Sequence, residues 1–230
     1  FNTGSLIEAL SPHLTGKRHL GIHTPFFTDA LMDIVQSGAV TNYRKGIFRG
    51  KSIASYALGT PELMAWLNNN PLVEFQSTDQ VCGPTRIGRN PNFVAIFHAR
   101  KVDLFSRIVF PVGKGSIIAG PGESADLLTG TEISPGGSAV FGLPSRDPKG
   151  KPNIVTKLRD LRNQFHMRES IDVVVTEYGI ANLKWRSIRE RAQALIDIAH
   201  PDDRRELVEQ AKEKQILFPD QIFLPESAHL

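Results

Sequence analysis

The sequence predicts an α/β fold in which helices flank a mixed or mostly parallel sheet. Helical and strand-like patterns alternate along the 230 residues. The run SIDVVV at 170–175 has the continuous apolar character of a strand that is buried on both faces. Hydrophobic residues make up 40% of the chain and charged residues 22%, which is ordinary for a globular protein with a sizeable core.

The predicted elements follow one another at short intervals, with Gly and Pro between them. The helical pattern predicts helices over 5–14, 26–37, 61–70, 188–199 and 202–214, and a further helix that begins at Glu123–Ser124. Apolar runs of strand length predict strands over 19–22, 52–58, 72–75, 93–97, 102–105, 107–112, 116–119, 137–143 and 170–175. Loop-like composition marks 76–91 and 144–153, and an extended tail is expected over 215–230.

The corner GIHTPFFTDA at 21–30 joins a predicted strand to a predicted helix. Thr24 suits the N-cap of that helix, and Pro25 suits its first position, where no backbone N–H is needed. The same dipeptide stands at Thr60–Pro61, before another helical pattern. A purely structural helix start is therefore the simplest interpretation of this corner.

Three single side chains have both a catalytic and a structural interpretation. His23 is either a general base or a hydrogen-bonded structural histidine. Glu177 follows a buried strand, at an edge where α/β sheets bind ligands, but a carboxylate there also caps the next element. Cys82 is a potential nucleophile, yet the sequence shows no activating neighbour.

The glycine loop AGPGES at 119–124 is a candidate ligand site. Glycines let backbone N–H groups approach a phosphate or an oxyanion, and a helix N-terminus favours negative charge. Ordinary turns use the same glycines, so the loop alone is weak evidence. It matches neither the Walker A pattern nor the dinucleotide-binding pattern. The seven histidines are scattered along the chain, and no metal site is expected.

Charge and composition narrow the classes of function. The net charge is +3, and the basic residues are spread over 44–51, 157–168 and 184–191. These runs are solvated faces or a surface for a phosphorylated ligand. They lack the interleaved aromatic residues of a nucleic-acid platform, so no nucleic-acid partner is expected. With one cysteine, no 18-residue apolar run and no signal-peptide pattern, we expect a soluble, cytoplasmic protein without a membrane partner.

Four segments together resemble the C-terminal domain of the acetyl-CoA hydrolase/transferase family, which includes acetate, succinyl and 4-hydroxybutyrate CoA-transferases. They are LGIHTPFFTDALMDIVQSGAVTN, GPGESADLLTG, VVVTEYGIANL and RERAQALIDIAHPDDR. The resemblance covers nearly the whole chain. It implies one CoA-transferase C-terminal-type domain over 1–230, an N-terminal half that is absent from this chain, and an active site between the two halves.

The resemblance also implies partners and binding residues. CoA or acyl-CoA and a small carboxylate would be the ligands, with no metal, and the protein would self-associate. Residues 1–18 resemble part of the CoA-binding segment that bridges the halves. The implied CoA-binding residues are Thr3, Gly4, Ser5 and Leu6 from this segment and Gly120, Gly122 and Ser124 from the glycine loop.

The catalytic residues of the family are where this sequence departs from it. In the family a glutamate attacks the thioester, passes through a mixed anhydride and becomes a glutamyl-CoA thioester. Pro25 stands at the matching position, Glu123 and Ser124 replace a glycine and a glutamine of the loop, and Phe97 replaces an asparagine.

Three functions remain open. The full-length protein is a transferase or hydrolase in which Glu123 serves as nucleophile or base, a non-catalytic CoA-binding or regulatory module, or an interaction module that kept only the fold. The isolated chain is expected to be inactive, because half of its site would be missing.

Overall fold

A computed structural model gives the fold and describes residues 5–110, 122–158, 164–165 and 170–221. The chain divides into two compact units. The first unit comprises residues 1–96 and 123–138, and the second comprises residues 97–122 and 139–230. The strand expected at 116–119 lies outside the described residues.

The helices and strands alternate as the sequence predicts. The helices are α1 Ser5–Leu14, α2 Asp29–Gln36, α3 Pro61–Leu67, α4 Thr78–Cys82, α5 Pro84–Ile87, α6 Ser124–Ile133, α7 Ile188–Asp197 and α8 Pro201–Glu213. The strands are β1 Phe26–Phe27, β2 Ser52–Ala54, β3 Tyr56–Ala57, β4 Val73–Phe75, β5 Val94–His98, β6 Lys101–Asp103, β7 Ile108–Val109, β8 Ser138–Gly142, β9 Ile154–Val155, β10 Gln164–Phe165, β11 Val173–Thr176 and β12 Gly179–Asn182.

Short parallel strand pairs form the centre of the first unit. β1 pairs with β3 and β2 pairs with β4, each in parallel. A bridge between His23 and Ile53 continues the first chain segment alongside β2. Helix α2 buries Leu31 and Ile34 in the adjoining core, where Phe27 stacks on Trp66 at a ring-centroid distance of 6.0 Å. This packing fixes the backbone on both sides of the 21–30 corner.

Two four-stranded sheets carry the strands of the second unit. One has the order β12-β11-β8-β5, and β11 runs parallel to β8 but antiparallel to β12. The other has the order β10-β7-β6-β9 and is also mixed. Helix α7 begins with a capping box between Ser187 and Glu190. The predicted α/β class with mixed sheets and flanking helices is confirmed.

The helix predicted over 26–37 begins three residues later than expected. Phe26 and Phe27 pair with Tyr56 and Ala57 and are therefore extended, so the helix starts at Asp29, after an extended Thr28. The expected N-cap role of Thr24 and helical position of Pro25 are wrong for this reason. The matching expectation at Thr60–Pro61 is confirmed, because the Thr60 side chain accepts a hydrogen bond from the backbone N–H of Leu63.

Two further local predictions are wrong. Residues 76–91 contain the short helices α4 and α5 instead of a continuous loop, since Gly and Pro stand only at their ends. The segment 19–22 forms a single bridge, from Leu20 to Val40, and no strand. In the described part of the chain, no helix combines the length and apolar character needed to cross a membrane.

Candidate functional site

His23 is held in the 21–30 corner by both of its ring nitrogens. Nε2 lies 2.7 Å from the Val81 carbonyl oxygen, which can only accept, so Nε2 carries the proton. Nδ1 then accepts from Asn90 Nδ2 at 3.4 Å. Burial, and secondarily the charge of Lys45, lowers the pKa of His23 to about 4. The ring is therefore neutral at neutral pH, and of its two interpretations the structural one fits.

Lys45 lies beneath the same corner and is almost fully buried, with 6% of its surface exposed. Its Nζ donates to the carbonyl oxygens of Ile22, at 2.9 Å, and Lys51, at 2.7 Å. Burial lowers the pKa of Lys45 to about 7, although the charge of Glu74 opposes the change. Lys45 therefore ties the segment before His23 to the loop that leads into β2.

Asn90 braces the corner from the other side. Its Oδ1 accepts from the backbone N–H groups of Gly46 and Ile47, and its carbonyl oxygen accepts from Ser134 Oγ at 2.6 Å. The Asn90 side chain thus links His23 to the 46–47 turn, and the Asn90 backbone links this corner to Ser134 at the end of α6. Neither Asn90 nor Lys45 is predicted as a site residue from the sequence. The Asn-Pro pair at 90–91 signals a turn, but no local pattern reveals partners so distant in sequence.

Pro25 is buried, and its carbonyl oxygen accepts from the N–H groups of Ser55 and Tyr56 at 3.0 and 2.9 Å. The backbone at this position therefore belongs to the parallel ladder that contains β1 and β3. A proline side chain cannot act as nucleophile, acid or base. Whatever chemistry the corner supports must come from another residue.

Glu123 stands at the N-cap of α6, partly exposed, and its side chain makes no capping hydrogen bond. Gly122, just before it, has a φ of +54°, a conformation that glycine adopts without strain. Ser124 is buried in the first turn of the helix. The start of α6 therefore combines the charge-favouring helix N-terminus, an unstrained tight turn and one carboxylate.

Cys82 lies in α4, the short helix that contacts the His23 corner. Burial, together with the charges of Glu123 and Asp126, raises the pKa of the Cys82 thiol to about 12. A thiolate is therefore not populated at neutral pH, which argues against a nucleophilic Cys82. Val81, which precedes it, is the residue that accepts from His23. Helix α6, whose N-cap is Glu123, packs against α4, the short helix that contacts the corner.

Two other sequence candidates have structural roles. The Glu177 carboxylate accepts from the Ser145 N–H and from Ser145 Oγ, the latter at 2.6 Å. Burial opposes ionisation of Glu177, but the hydrogen bonds from Ser145 outweigh it and lower its pKa. Phe97 is 2% exposed and stacks on Phe141 at 5.0 Å, so its position contributes no polar group.

Part of the expected CoA-binding set cannot be placed. Thr3, Gly4 and Gly120 lie outside the described residues, and for Ser5 only the backbone is described, as the first residue of α1. Leu6 is half-buried in α1. Over the described ranges, no three His, Cys, Asp or Glu side chains come together in a way that could hold a metal ion.

Comparisons with known proteins agree with the resemblance. A family model for the acetyl-CoA hydrolase/transferase C-terminal domain matches residues 59–211. The 4-hydroxybutyrate coenzyme A transferase of Clostridium kluyveri is 37% identical over 212 residues, which are 92% of this chain and 49% of that protein. The chain spans about half the length of the curated relatives it matches.

Solved structures show the same likeness. RipA from Yersinia pestis superposes with a TM-score of 0.84 at 31% identity, over 94% of this chain and 48% of its own. The 4-hydroxybutyrate CoA-transferase from Porphyromonas gingivalis gives 0.79 at 33% identity, over 93% of this chain and 50% of its own. The family match and these likenesses together show that the chain belongs to the acetyl-CoA hydrolase/transferase family.

Proposed function

We propose that the full-length protein binds CoA thioesters and either transfers CoA between small carboxylates or hydrolyses the thioester, with Glu123 as the reacting carboxylate. The observation that carries the proposal is the position of Glu123. It is a partly exposed carboxylate at the N-cap of α6, a helix that packs against α4, which contacts the His23 corner through Val81. Names of relatives support the reaction class, since they include CoA-transferases and acetyl-CoA hydrolases.

In the transfer route, a Glu123 oxygen attacks the thioester carbonyl carbon, the C–S bond breaks, and CoA leaves as the thiolate. The thiolate then attacks the side-chain carbonyl of the mixed anhydride, which releases the first carboxylate and leaves a glutamyl-CoA thioester. A second carboxylate reverses the two steps and departs as the new acyl-CoA. In the hydrolytic route, Glu123 instead removes a proton from the water that attacks the thioester.

The remaining expected contacts belong to the same proposal. Backbone N–H groups near Gly122 and Ser124 would face the developing oxyanion, because the N-terminus of α6 favours negative charge. Thr3, Gly4, Ser5, Leu6 and Gly120 would contact CoA. An N-terminal half of the same protein, self-association and a cytoplasmic location complete the proposal. Relatives about twice the length of this chain support the N-terminal half.

Substitution of Glu123 tests the catalytic proposal. The full-length protein is incubated with acetyl-CoA and a second carboxylate, and both CoA exchange and free thiol are measured. Glu123→Gln removes the carboxylate and should lower turnover by about 100-fold or more. Glu132→Gln is the matched control, because Glu132 is exposed near the other end of α6. Equal turnover by Glu123→Gln and wild type would refute the role of Glu123.

A second measurement separates transfer from hydrolysis. Under the transfer route, intact-mass analysis after incubation with acyl-CoA without an acceptor should show an added CoA, mapped by peptide analysis to Glu123. Under hydrolysis, free thiol should accumulate without this adduct. Both signals should disappear in Glu123→Gln and persist in Glu132→Gln.

The alternative is a CoA-binding module without catalysis. The specific observation in its favour is that Pro25, which the resemblance aligns with the family's catalytic glutamate, is buried and bonded into a strand ladder. This alternative predicts CoA binding by calorimetry, with neither exchange nor thiol release. If the full-length protein neither binds CoA nor turns it over, both functions are wrong and the interaction module remains.

A further inference from the structure

A cavity of about 620 Å³ lies within the first unit and is lined in part by residues 18–23, the segment that leads to His23. Every residue that lines it belongs to 1–96. One wall is apolar and consists of side chains from α1 and α2, namely Leu10, Leu14, Leu31 and Ile34. Small-molecule sites in proteins commonly have volumes of about 300–1,000 Å³, so the cavity has the size of a ligand site.

The charged side chains that line this cavity are all basic. Arg18, Arg44 and Lys45 line it, and none of its described lining residues is Asp or Glu. Arg18 and Arg44 are exposed, and within the described structure neither guanidinium has a hydrogen bond or an ion pair. Both are therefore free to receive an anion, whereas the Nζ of Lys45 already donates to two carbonyl oxygens.

We propose that this cavity binds a free amphipathic carboxylate of medium chain length, with its alkyl chain against α1 and α2 and its carboxylate at Arg18 and Arg44. Guanidinium groups bind carboxylates through paired N–H donors, and the apolar wall favours burial of methylene groups.

The proposed ligand goes beyond the proposed reaction. That reaction takes place at Glu123, whereas Gly122, Glu123, Ser124 and Pro25 do not line the cavity. His23 and the two residues that brace its corner, Asn90 and Lys45, all line the cavity. An acid bound here would therefore touch the group that supports the corner without occupying the reacting position.

The test is calorimetric titration of the full-length protein, without CoA, by alkanoates from butanoate to dodecanoate. Each added methylene should strengthen binding about fourfold until the cavity is full. The n-alkanol of the same length should bind at least about tenfold more weakly, because it lacks the charge that Arg18 and Arg44 receive.

Four variants locate the site. Arg44→Gln should weaken octanoate binding about tenfold, while Arg89→Gln, the same change at an exposed arginine that does not line the cavity, should not alter it. Leu14→Trp should fill the cavity and abolish binding. Glu123→Gln should bind octanoate like wild type, which separates this site from the proposed catalytic one.

Three results would overturn the proposal: an affinity that does not depend on chain length, equal binding of alkanoate and alkanol, or wild-type binding by Arg44→Gln. Because Arg44 is exposed and unpaired among the described residues, its variant should fold even if Leu14→Trp does not.

Discussion

The stability of the fold should fall as His23 is forced to take up a proton. Its pKa is about 4 in the folded chain, against an ordinary value of 6.5, because the ring is buried. Between these two values the unfolded chain binds a proton that the folded chain rejects, so stability is lost as the pH falls. At about 1.4 kcal/mol per pH unit, full protonation would remove about 3 kcal/mol.

The variant His23→Gln provides the comparison, because an amide can donate to the Val81 carbonyl and accept from Asn90 without titrating. Urea unfolding of both proteins between about pH 7 and pH 4 gives the free energy of unfolding at each pH. The difference between the two curves isolates His23, since the carboxylates titrate in both proteins. The advantage of wild type over His23→Gln should shrink by about 3 kcal/mol across this range.

Parallel loss of stability in the two proteins would refute this reasoning. It would mean that the His23 ring is solvated enough to accept a proton without leaving its place. A direct check is the NMR titration of the ring, whose signals should not move until the pH approaches 4.

Three further predictions concern other positions. Above about pH 7, wild type should gain stability relative to Lys45→Met, by at most about 1.4 kcal/mol per pH unit. The reason is that the unfolded chain keeps a proton that the buried amine has lost. Denaturant titrations at several pH values measure the free energy of unfolding of both proteins. Thr60→Ala should cost about 1–2 kcal/mol in thermal unfolding through loss of its cap, while Thr60→Ser should cost less than about 0.5 kcal/mol. Gly46→Ala should be strongly destabilising, since its Cβ would overlap the Arg89 carbonyl oxygen, whereas Gly16→Ala, with nothing within 4 Å, should melt like wild type.

Two identical dipeptides show how far local sequence determines this fold. Thr60–Pro61 starts a helix, as N-cap chemistry predicts, because no strand competes for the residues that follow. Thr24–Pro25 does not, because Phe26 and Phe27 pair with residues 30 positions further along the chain. Alternation of helices and strands is readable from the sequence, whereas competition from distant strands is not.

The candidate site divides in the same way. The start of α6 at Glu123–Ser124 follows from a glycine turn before a helical pattern, and it was predicted. The bracing of the corner was not, since Lys45 and Asn90 act on carbonyl and ring atoms that only the fold brings near them. Buried polar contacts of this kind depend on tertiary structure and leave no periodic signal.

The hydrogen bonds at Pro25 do not depend on which residue stands at this position. Both bonds at this position are accepted by its carbonyl oxygen, so the ladder needs no N–H there and loses nothing to the proline ring. The same two hydrogen bonds would therefore form with an ordinary residue in place of proline. Substitution of Pro25 would therefore change the chemistry of the 21–30 corner without removing a hydrogen bond from the strand ladder.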